Sequence, residues 1–422
     1  MTPPGKIPLQ DWMTTRPTRR VIEALSADGG DVRFVGGCVR DALAGRPVTD
    51  IDLATHTPPE EVIRLLEQAG IKAVPTGIEH GTITAVADHK PYEVTTLRVD
   101  VETFGRHARV AFTDDWAADA ARRDFTFNAL SCAPDGTLFD PFGGVADLRA
   151  GRVRFVGDPR ARIEEDYLRL LRFFRFQAHY GKTPPDPDAL AVCSELAPKL
   201  DYLSGERLRQ ELFKLLGAED PAPVIGMMIE AGVLRHVLPA TGDIGVLRAL
   251  LRAEPADEPL DPVVRLGALI EPDGKTAGRV ADRLKLSNTD RHALVNLAAP
   301  EAHLDPALHP RVRWAAVHAL GPPLYRKLLR LDWARHHAED QKVPEAALER
   351  ALDEAEGLAA KTFPLRGRDV LQLGIPSGPE LGRLLDTVET WWAEQGFQAT
   401  REDCLDKIRS LTSTRPDRRS GP

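Results

Sequence analysis

The pattern of apolar residues changes near residue 160, and this change limits the folds that the chain can adopt. From Val32 to about Val156, short apolar runs are separated by Gly, Pro and Asp, as in strands joined by tight turns. Helical segments alternate with these strands, and after Arg160 a Leu- and Ala-rich helical pattern continues to the end. The sequence therefore predicts an α+β protein in which a mixed α/β region is followed by helices.

Local signals predict individual elements of this plan. The predicted strands cover residues 33–35, 51–53, 82–86, 92–97 and 138–140. A helix is predicted from Pro59, because proline and acidic residues in a first turn precede an apolar series that begins at Val62. Weak periodicity predicts a mobile loop at 99–110, a linker at 252–262 and a frayed end at 412–422.

Length and composition exclude several classes of protein. The 422 residues exceed what one hydrophobic core needs and predict two to four units, while 42% hydrophobic and 28% charged residues are typical of globular proteins. Four scattered cysteines without a CxxC pair exclude a disulfide framework and a zinc site, which favours a reducing, cytoplasmic location. No apolar run reaches the eighteen or so residues of a membrane span, and the first residues lack a secretory leader pattern.

The distribution of charge is more informative than its total. A net charge of −8 counts against a generally basic nucleic-acid binder. Residues 152–182, however, carry eight basic and four acidic side chains, a local excess of +4 in which Arg predominates. The sequence therefore predicts one locally positive region in an acidic chain.

Two short motifs near the N-terminus have the features of a phosphate and metal site. The strand at 33–35 ends in Gly36-Gly37 before a predicted helix, so backbone N–H groups can approach a phosphate without interference from a Cβ atom. Asp50 and Asp52 are two residues apart on a predicted strand, which would place both carboxylates on one face, where they could share divalent cations. An aspartate pair of this kind, taken alone, more often belongs to an ordinary turn than to a metal site.

With their neighbours, these motifs resemble the class II family of CCA-adding tRNA nucleotidyltransferases and bacterial poly(A) polymerases. The resemblance rests on GG-x-VRD at 36–41, GR at 45–46, DIDLAT at 50–55, YEVTTLR at 92–98, RRDFTFNA at 122–129, DPFGG at 140–144, EDYLRLLR at 165–172 and SGER at 204–207. These blocks keep their order over residues 33–216, whereas the helical C-terminal half matches more loosely, around 367–382. The resemblance implies a palm-like nucleotidyltransferase head at 1–155 and an elongated, all-helical neck at 156–240, body at 241–360 and tail at 361–422, the tail contacting tRNA.

The resemblance also implies roles for individual residues. Asp50 and Asp52 would hold two Mg²⁺ ions, and Glu93 would be a third carboxylate or merely a solvated strand position. The nucleotide-binding residues would be Gly36, Gly37 and Arg40 at the triphosphate, Arg123 and Asp124 at the phosphate or ribose, and Asp166, Arg169, Arg172 and Arg175 near the base. A helix starting at Ser204 would support the base-reading helix, through Glu206 or Arg207.

Base selection follows from hydrogen-bonding chemistry at residues 166–172. Asp166, Arg169 and Arg172 follow at i+3 steps on a predicted helix, with an apolar stripe of Leu168, Leu171 and Phe174 nearly opposite. The Asp166 carboxylate can accept from the amino group of cytosine or adenine while Arg169 donates to the ring nitrogen, so U and G are rejected. The alternative is an ordinary salt bridge on a solvated helix. Arg175 lies about half a turn away from Asp166 around the predicted helix.

The expected function is template-independent addition of C, C and A to the 3′ end of tRNA from CTP and ATP, by two-metal transfer with release of pyrophosphate. Poly(A) polymerase, an enzyme that adds only C or only A, and an inactive RNA-binding homologue are the alternatives. The expected partners are tRNA, CTP, ATP and Mg²⁺, with no DNA and no membrane. The positive segment further predicts salt-sensitive tRNA binding at the junction of head and neck.

Overall fold

The computed structural model describes residues 5–104, 107–255, 261–300, 304, 308–338, 344–358 and 362–413. The chain divides into two compact units, Met1–Val237 and Leu238–Pro422. The first contains the strands and the second is helical. A mixed α/β region followed by helices, as the apolar pattern predicts, is therefore confirmed, while the finer division at 155, 240 and 360 stays a prediction.

The strands of the first unit form one large sheet and one hairpin. They are β1 (Gly5–Lys6), β2 (Val32–Val35), β3 (Asp52–Thr55), β4 (Lys72–Gly77), β5 (Thr82–Ala87), β6 (Lys90–Thr96), β7 (Arg98–Phe104), β8 (His107–Phe112), β9 (Ser131–Cys132) and β10 (Thr137–Phe139). The large sheet has the order β1-β10-β9-β2-β3-β6-β5-β4, and β7 pairs with β8.

One parallel pairing in the large sheet decides where the acidic side chains meet. β3 and β6 run parallel, whereas the other described ladders of this sheet are antiparallel. In this register Asp52 lies opposite Glu93. Because opposite residues on neighbouring strands point to the same face, the sheet places these two carboxylates side by side.

The earlier helices of the first unit pack against the sheet, and the later ones follow the last strand in the chain. They are α1 (Asp11–Thr14), α2 (Arg16–Leu25), α3 (Gly37–Leu43), α4 (Pro59–Gln68), α5 (Trp116–Ala121), α6 (Gly144–Ala150), α7 (Pro159–Glu165), α8 (Leu168–Tyr180), α9 (Pro187–Leu196), α10 (Gly205–Leu216) and α11 (Ala222–Glu230). A cluster of buried phenylalanines attaches α8 to the segment that follows α5. Phe125 lies 4.6 Å from Phe155 and 5.2 Å from Phe176 between ring centroids, and this packing fixes α8 relative to the sheet.

The second unit is built from helices in the described ranges. They are α12 (Ile244–Ala253), α13 (Pro262–Leu269), α14 (Gly274–Arg283), α15 (Asn288–Ala298), α16 (Pro310–Leu320), α17 (Pro322–Ala338), α18 (Glu345–Leu358), α19 (Gly367–Leu371), α20 (Pro379–Glu394) and α21 (Arg401–Ser413). Buried side chains between α20 and α21 include Val388, Trp392 and Ile408. None of the described helices has the length and apolar character to cross a membrane.

Most predicted segments of the sheet region are confirmed, and the exceptions have local causes. β3 begins at Asp52, so Ile51 precedes the strand instead of opening it. The mobile loop predicted at 99–110 is wrong where the chain is described, because β7 and β8 pair as an antiparallel hairpin. β4 was not predicted, because its Pro75 and exposed Lys72 weaken the strand signal.

The predicted linker and frayed end lie largely outside the described residues. α12 ends at Ala253 and α13 begins at Pro262, so the undescribed residues 256–260 fall inside the predicted linker. α21 ends at Ser413, and residues 414–422 are not described.

Candidate functional site

A glycine turn connects β2 to α3 and opens the site. Gly36 has a φ of +69°, a backbone conformation that favours glycine, and α3 begins at the next residue, Gly37. A Cβ atom on Gly36 would lie 3.1 Å from Nη1 of Arg123. The predicted strand, glycine pair and helix are confirmed, and the missing side chain also lets an arginine approach the turn.

The acidic side chains meet beside this turn, although not as the spacing alone suggested. Asp50 is exposed and precedes β3, so the prediction that Asp50 and Asp52 lie on the same strand is wrong. Burial, followed by the nearby charge of Glu93, raises the pKa of Asp52 to about 6. Asp50 adds to this rise, while Arg123 and Arg40 oppose it. The three carboxylates therefore share one electrostatic environment.

The donor chemistry of this acidic group fits a divalent cation. Carboxylate oxygens are the ligands that hard divalent cations prefer, and a cation would relieve the crowding of like charge that raises the pKa of Asp52. Within the described ranges, however, no three His, Cys, Asp or Glu side chains are already grouped as a metal site. The fit therefore rests on charge and donor type.

A strongly basic cavity of about 610 Å³ adjoins Asp52. Its charged lining comprises Arg40, Arg122, Arg123, Arg169, Arg172, Arg175, Arg207 and Lys214 with Asp52, Asp124 and Asp166. Gly36 and Gly37 complete its edge. Eight cations and three carboxylates line the cavity, and Asp119, Glu165 and Glu211 beside it also pair with these arginines. The cavity therefore offers a polyphosphate guanidinium donors that are already held in place. Every predicted nucleotide-binding residue lines this cavity, whereas Asp50 and Glu93 do not.

A chain of hydrogen bonds runs along the cavity from α3 to α8. Arg40 Nη1 donates to Asn128 Oδ1 at 2.7 Å, and Asn128 Nδ2 donates to Asp124 Oδ1 at 2.9 Å. Arg172 Nε then donates to Asp124 Oδ2 at 2.6 Å. Because each member restrains the next, the chain fixes Arg40 relative to Arg172.

Asp124 is held in this chain as a buried anion. Burial alone would raise the pKa of Asp124, but the charge of Arg172 and the hydrogen bond from Asn128 outweigh burial and lower it. The backbone N–H of Phe125 also donates to Oδ1 at 2.9 Å. Both oxygens of Asp124 thus have protein partners, and its predicted contact with a phosphate or ribose stays a prediction.

Glu211 supports two arginines of the cavity from α10. It is 4% exposed, and its carboxylate lies 2.9 Å from Arg175 Nη1 and 3.7 Å from Arg172 Nη1. Burial lowers the pKa of Arg175 to about 10, which still leaves this side chain charged at neutral pH. The buried acid therefore holds both guanidinium groups in place beside the cavity.

Asp166 reaches the cavity from a break between helices, which corrects the prediction of one continuous helix. It adopts an extended conformation between α7 and α8, and its Oδ1 accepts from the backbone N–H of Leu168 at 3.1 Å. Arg207 Nη2 donates to its Oδ2 at 2.7 Å. Arg207 therefore supports this region from α10, as one of the two residues suggested for that role.

Arg169 is anchored to residues other than Asp166. Its Nη1 donates to Glu165 and to the carbonyl of Arg162 at 3.1 Å, and its Nη2 donates to the carbonyl of Arg122 at 3.1 Å. The predicted contact along the helix with Asp166 is thus replaced by a salt bridge to Glu165. Leu168 also departs from the predicted apolar stripe, since it lines the cavity while Leu171 and Phe174 are buried.

Sequence reasoning missed three supporting side chains, Asn128, Asp119 and Glu211. Asn128 belongs to the RRDFTFNA block, which marked it without indicating a contact. Asp119 lies 2.7 Å from Arg122 Nη2 and 3.3 Å from Arg123 Nη2, and its i+3 and i+4 spacing to them was a usable signal. Glu211 sits between Leu208 and Leu212 on the apolar face of α10, where an acid signals a buried partner.

The positive segment at 152–182 divides into paired surface charges and cavity charges. Arg152 and Arg154 contact Asp147 at 3.1 and 2.7 Å, and Arg160 pairs with Glu195. Arg169, Arg172 and Arg175 are the members that line the cavity. These three arginines are also ion-paired, with Glu165, Asp124 and Glu211, so pairing occurs both at the surface and at the cavity.

Two family models match the chain in the regions just described. A model described as "Poly A polymerase head domain" matches residues 32–154, and one described as "Probable RNA and SrmB- binding site of polymerase A" matches residues 184–244. The first range contains the glycine turn and the acidic group, and the second contains α9, α10 and α11.

Curated proteins and solved structures are similar over most of the chain. The mitochondrial CCA tRNA nucleotidyltransferase 1 of Danio rerio is 34% identical over 388 residues, which cover 90% of this chain and 87% of that protein. The CCA-adding enzyme of Levilactobacillus brevis is 30% identical over 386 residues, covering 88% and 91%. The crystal structure of the Bacillus stearothermophilus CCA-adding enzyme in complex with CTP has a TM-score of 0.73 and 26% identity, and covers 95% of this chain and 100% of that chain.

Proposed function

The chain belongs to the family of CCA-adding tRNA nucleotidyltransferases, and on that premise we propose that it adds C, C and A to the 3′ end of tRNA from CTP and ATP. One observation supports this proposal above others. The acidic group around Asp52 adjoins a cavity that combines an arginine-rich lining with the Asp166 carboxylate. The first feature suits phosphoryl chemistry, and the second suits selection of a base without a template.

Asp50, Asp52 and Glu93 are the residues that would hold Mg²⁺. When bound, the metal neutralises charge at the reacting phosphate and favours ionisation of the RNA 3′-hydroxyl. The protein contributes two arginines that bias this site toward anions, since Arg40 and Arg123 both act electrostatically on Asp52. Their guanidinium groups bind the phosphate oxygens of CTP or ATP, with the Gly36 turn leaving room for the triphosphate.

Asp166 and Arg169 read the base from fixed positions. Arg207 and the Leu168 N–H each occupy one oxygen of Asp166, so the carboxylate retains lone pairs that accept from the amino group of cytosine or adenine. Arg169 donates to the neighbouring ring nitrogen while its other N–H groups hold it to α7 and to Arg122. Uracil and guanine present an N–H and a carbonyl instead, and this pattern repels both side chains.

Arg172, Arg175 and Asp124 act as positioning residues in this proposal. Asp124 and Glu211 hold the two guanidinium groups at the cavity, so their positive charge is available to the nucleotide without a change in conformation. Fixed charges of this kind cost little reorganisation during reaction.

Addition to defined tRNA ends tests the proposed function. Purified protein with Mg²⁺, CTP and ATP is expected to extend a tRNA transcript that lacks its terminal CCA by three nucleotides, and to leave a complete transcript unchanged. CTP alone is expected to add two nucleotides. Failure to extend the truncated transcript would refute the proposal, and addition of a long A tract without use of CTP would establish poly(A) polymerase instead.

A further inference from the structure

The hydroxyl of Tyr180 fastens the end of α8 to α3. Tyr180 is the last residue of α8, and its hydroxyl donates to Oδ1 of Asp41 on α3. Burial raises the pKa of Tyr180, so the hydroxyl keeps its proton and acts as the donor. The two residues are 139 positions apart in the chain, so this hydrogen bond is a tertiary link between two helices.

Asp41 in turn holds the guanidinium group of Arg40. Arg40 Nε donates to Oδ1 of Asp41 at 3.0 Å, and Arg40 Nη2 donates to Oδ2 at 2.8 Å. The third nitrogen, Nη1, donates to Asn128 at 2.7 Å. A bidentate pair of this kind fixes the plane of the guanidinium group. Because Oδ1 of Asp41 accepts from both Tyr180 and Arg40, the tyrosine restrains the carboxylate that orients the arginine.

The aromatic ring of Tyr180 adds a second restraint. The guanidinium carbon of Arg40 lies 4.8 Å from the centroid of this ring, and that of Arg46 lies 4.3 Å from it. Arg46 also donates to the carbonyl of His179, the residue before Tyr180. Arg46 belongs to the GR pair at 45–46 and does not line the basic cavity. Its contacts instead hold the end of α8 beside the turn that follows α3.

We propose that Tyr180 is a positioning residue for the incoming nucleotide, because it sets, through Asp41, the orientation in which Arg40 meets the triphosphate. The inference rests on the proposed function, which assigns Arg40 to the phosphate oxygens of CTP or ATP. α8 also carries Arg169 in its first turn. One helix therefore positions the arginine that reads the base and, at its other end, the arginine that binds the phosphates. The separation between the base site and the phosphate site is fixed by that helix.

Steady-state kinetics with Tyr180→Phe provide the first test, since this variant keeps the ring and removes only the hydroxyl. Loss of one hydrogen bond corresponds to a rise of about three- to tenfold in the KM for CTP and ATP, with kcat and the KM for truncated tRNA close to wild type. Asp41→Asn keeps the shape of its side chain and weakens both links, so it is expected to raise the same KM values further. Tyr202→Phe, which removes the hydroxyl of a tyrosine that is 84% exposed, is the matched control.

A double-mutant cycle with Arg40→Lys separates positioning from a general loss of stability. Lysine lacks the planar fork that Asp41 orients, so Tyr180→Phe is expected to change the KM for CTP by less than about twofold in that background. The same factor in both backgrounds would overturn the inference, as would wild-type KM values for CTP and ATP in both Tyr180→Phe and Asp41→Asn.

Equilibrium titration of CTP and ATP in the absence of tRNA measures the same effect as a dissociation constant. Tyr180→Phe is expected to bind both nucleotides about three- to tenfold more weakly than wild type, and equal affinity would overturn the inference. This measurement does not depend on extension of RNA. Extension of truncated tRNA by the wild-type protein tests the proposed function separately.

Discussion

Replacing Glu211 by Gln tests whether one buried acid holds the base-proximal arginines in place. The substitution keeps the shape of the side chain and removes the charge that faces Arg175 at 2.9 Å and Arg172 at 3.7 Å. Breaking a buried ion pair by removing one partner costs about 3–5 kcal/mol. Arg172 keeps Asp124 as a partner, so we expect a loss near the lower end, about 3 kcal/mol in the free energy of unfolding.

This loss is large enough to measure as a change in melting temperature. For domains of 150–250 residues, 1 kcal/mol corresponds to roughly 2–4 °C, so Glu211→Gln is expected to lower the first thermal transition by about 6–12 °C. The KM for CTP should rise as well, because both arginines line the cavity. Circular dichroism melting and initial-rate kinetics provide the two measurements.

An exposed ion pair supplies the matched control for Glu211. Glu195 pairs with Arg160 on the surface, where such pairs contribute about 0–1 kcal/mol, so Glu195→Gln should melt close to wild type. A Glu211→Gln protein that melts within a degree of wild type, or no lower than Glu195→Gln, would refute the conclusion that this acid stabilises the two arginines.

Four further substitutions or conditions test separate parts of the site. Asp52→Asn should reduce nucleotide addition by roughly a hundredfold to a thousandfold while CTP binding persists in equilibrium titration, because the arginine lining is unchanged. Asp166→Asn should reduce the preference for CTP over UTP by roughly 5- to 150-fold, the range for one lost base contact, and unchanged kcat/KM ratios would contradict base reading by this residue. Burial raises the pKa of Cys38 to about 12, so iodoacetamide at pH 8 should modify this thiol only after denaturation in urea, and rapid modification of the native protein would show that the turn opens. Affinity for tRNA should fall linearly on a logarithmic plot against salt concentration, and independence from salt would contradict phosphate binding at the positive cavity.

Local features of the sequence were sufficient to predict several of the turns and helices around the site. Gly36 and Gly37 predicted the turn between β2 and α3, and Pro59 with the acids that follow it predicted α4. Such signals act within one turn or one strand, so they can be identified without knowledge of the rest of the fold. The family resemblance added the predicted nucleotide-binding residues, and each of these lines the cavity.

Contacts between distant segments could not be predicted in the same way. The i+3 spacing of Asp166 and Arg169 suggested that they touch, but this holds only in a continuous helix. The Leu168 N–H instead donates a hydrogen bond to the Asp166 carboxylate at the start of a new helix. The support from Glu211 depends on the packing of α10 against α8. Tertiary packing of this kind decides which partner an arginine finds, and no local pattern specifies it.

The parallel pairing of β3 with β6 also affects the order in which the parts of the protein fold. Asp52 and Glu93 belong to strands that are separated by α4, β4 and β5, and closing such a long crossover is slow compared with forming a helix. The helices of the chain can form from local contacts before this pairing is complete. During synthesis or refolding, the protein is therefore expected to acquire most of its secondary structure before Asp52 and Glu93, the carboxylates of the proposed metal site, come together.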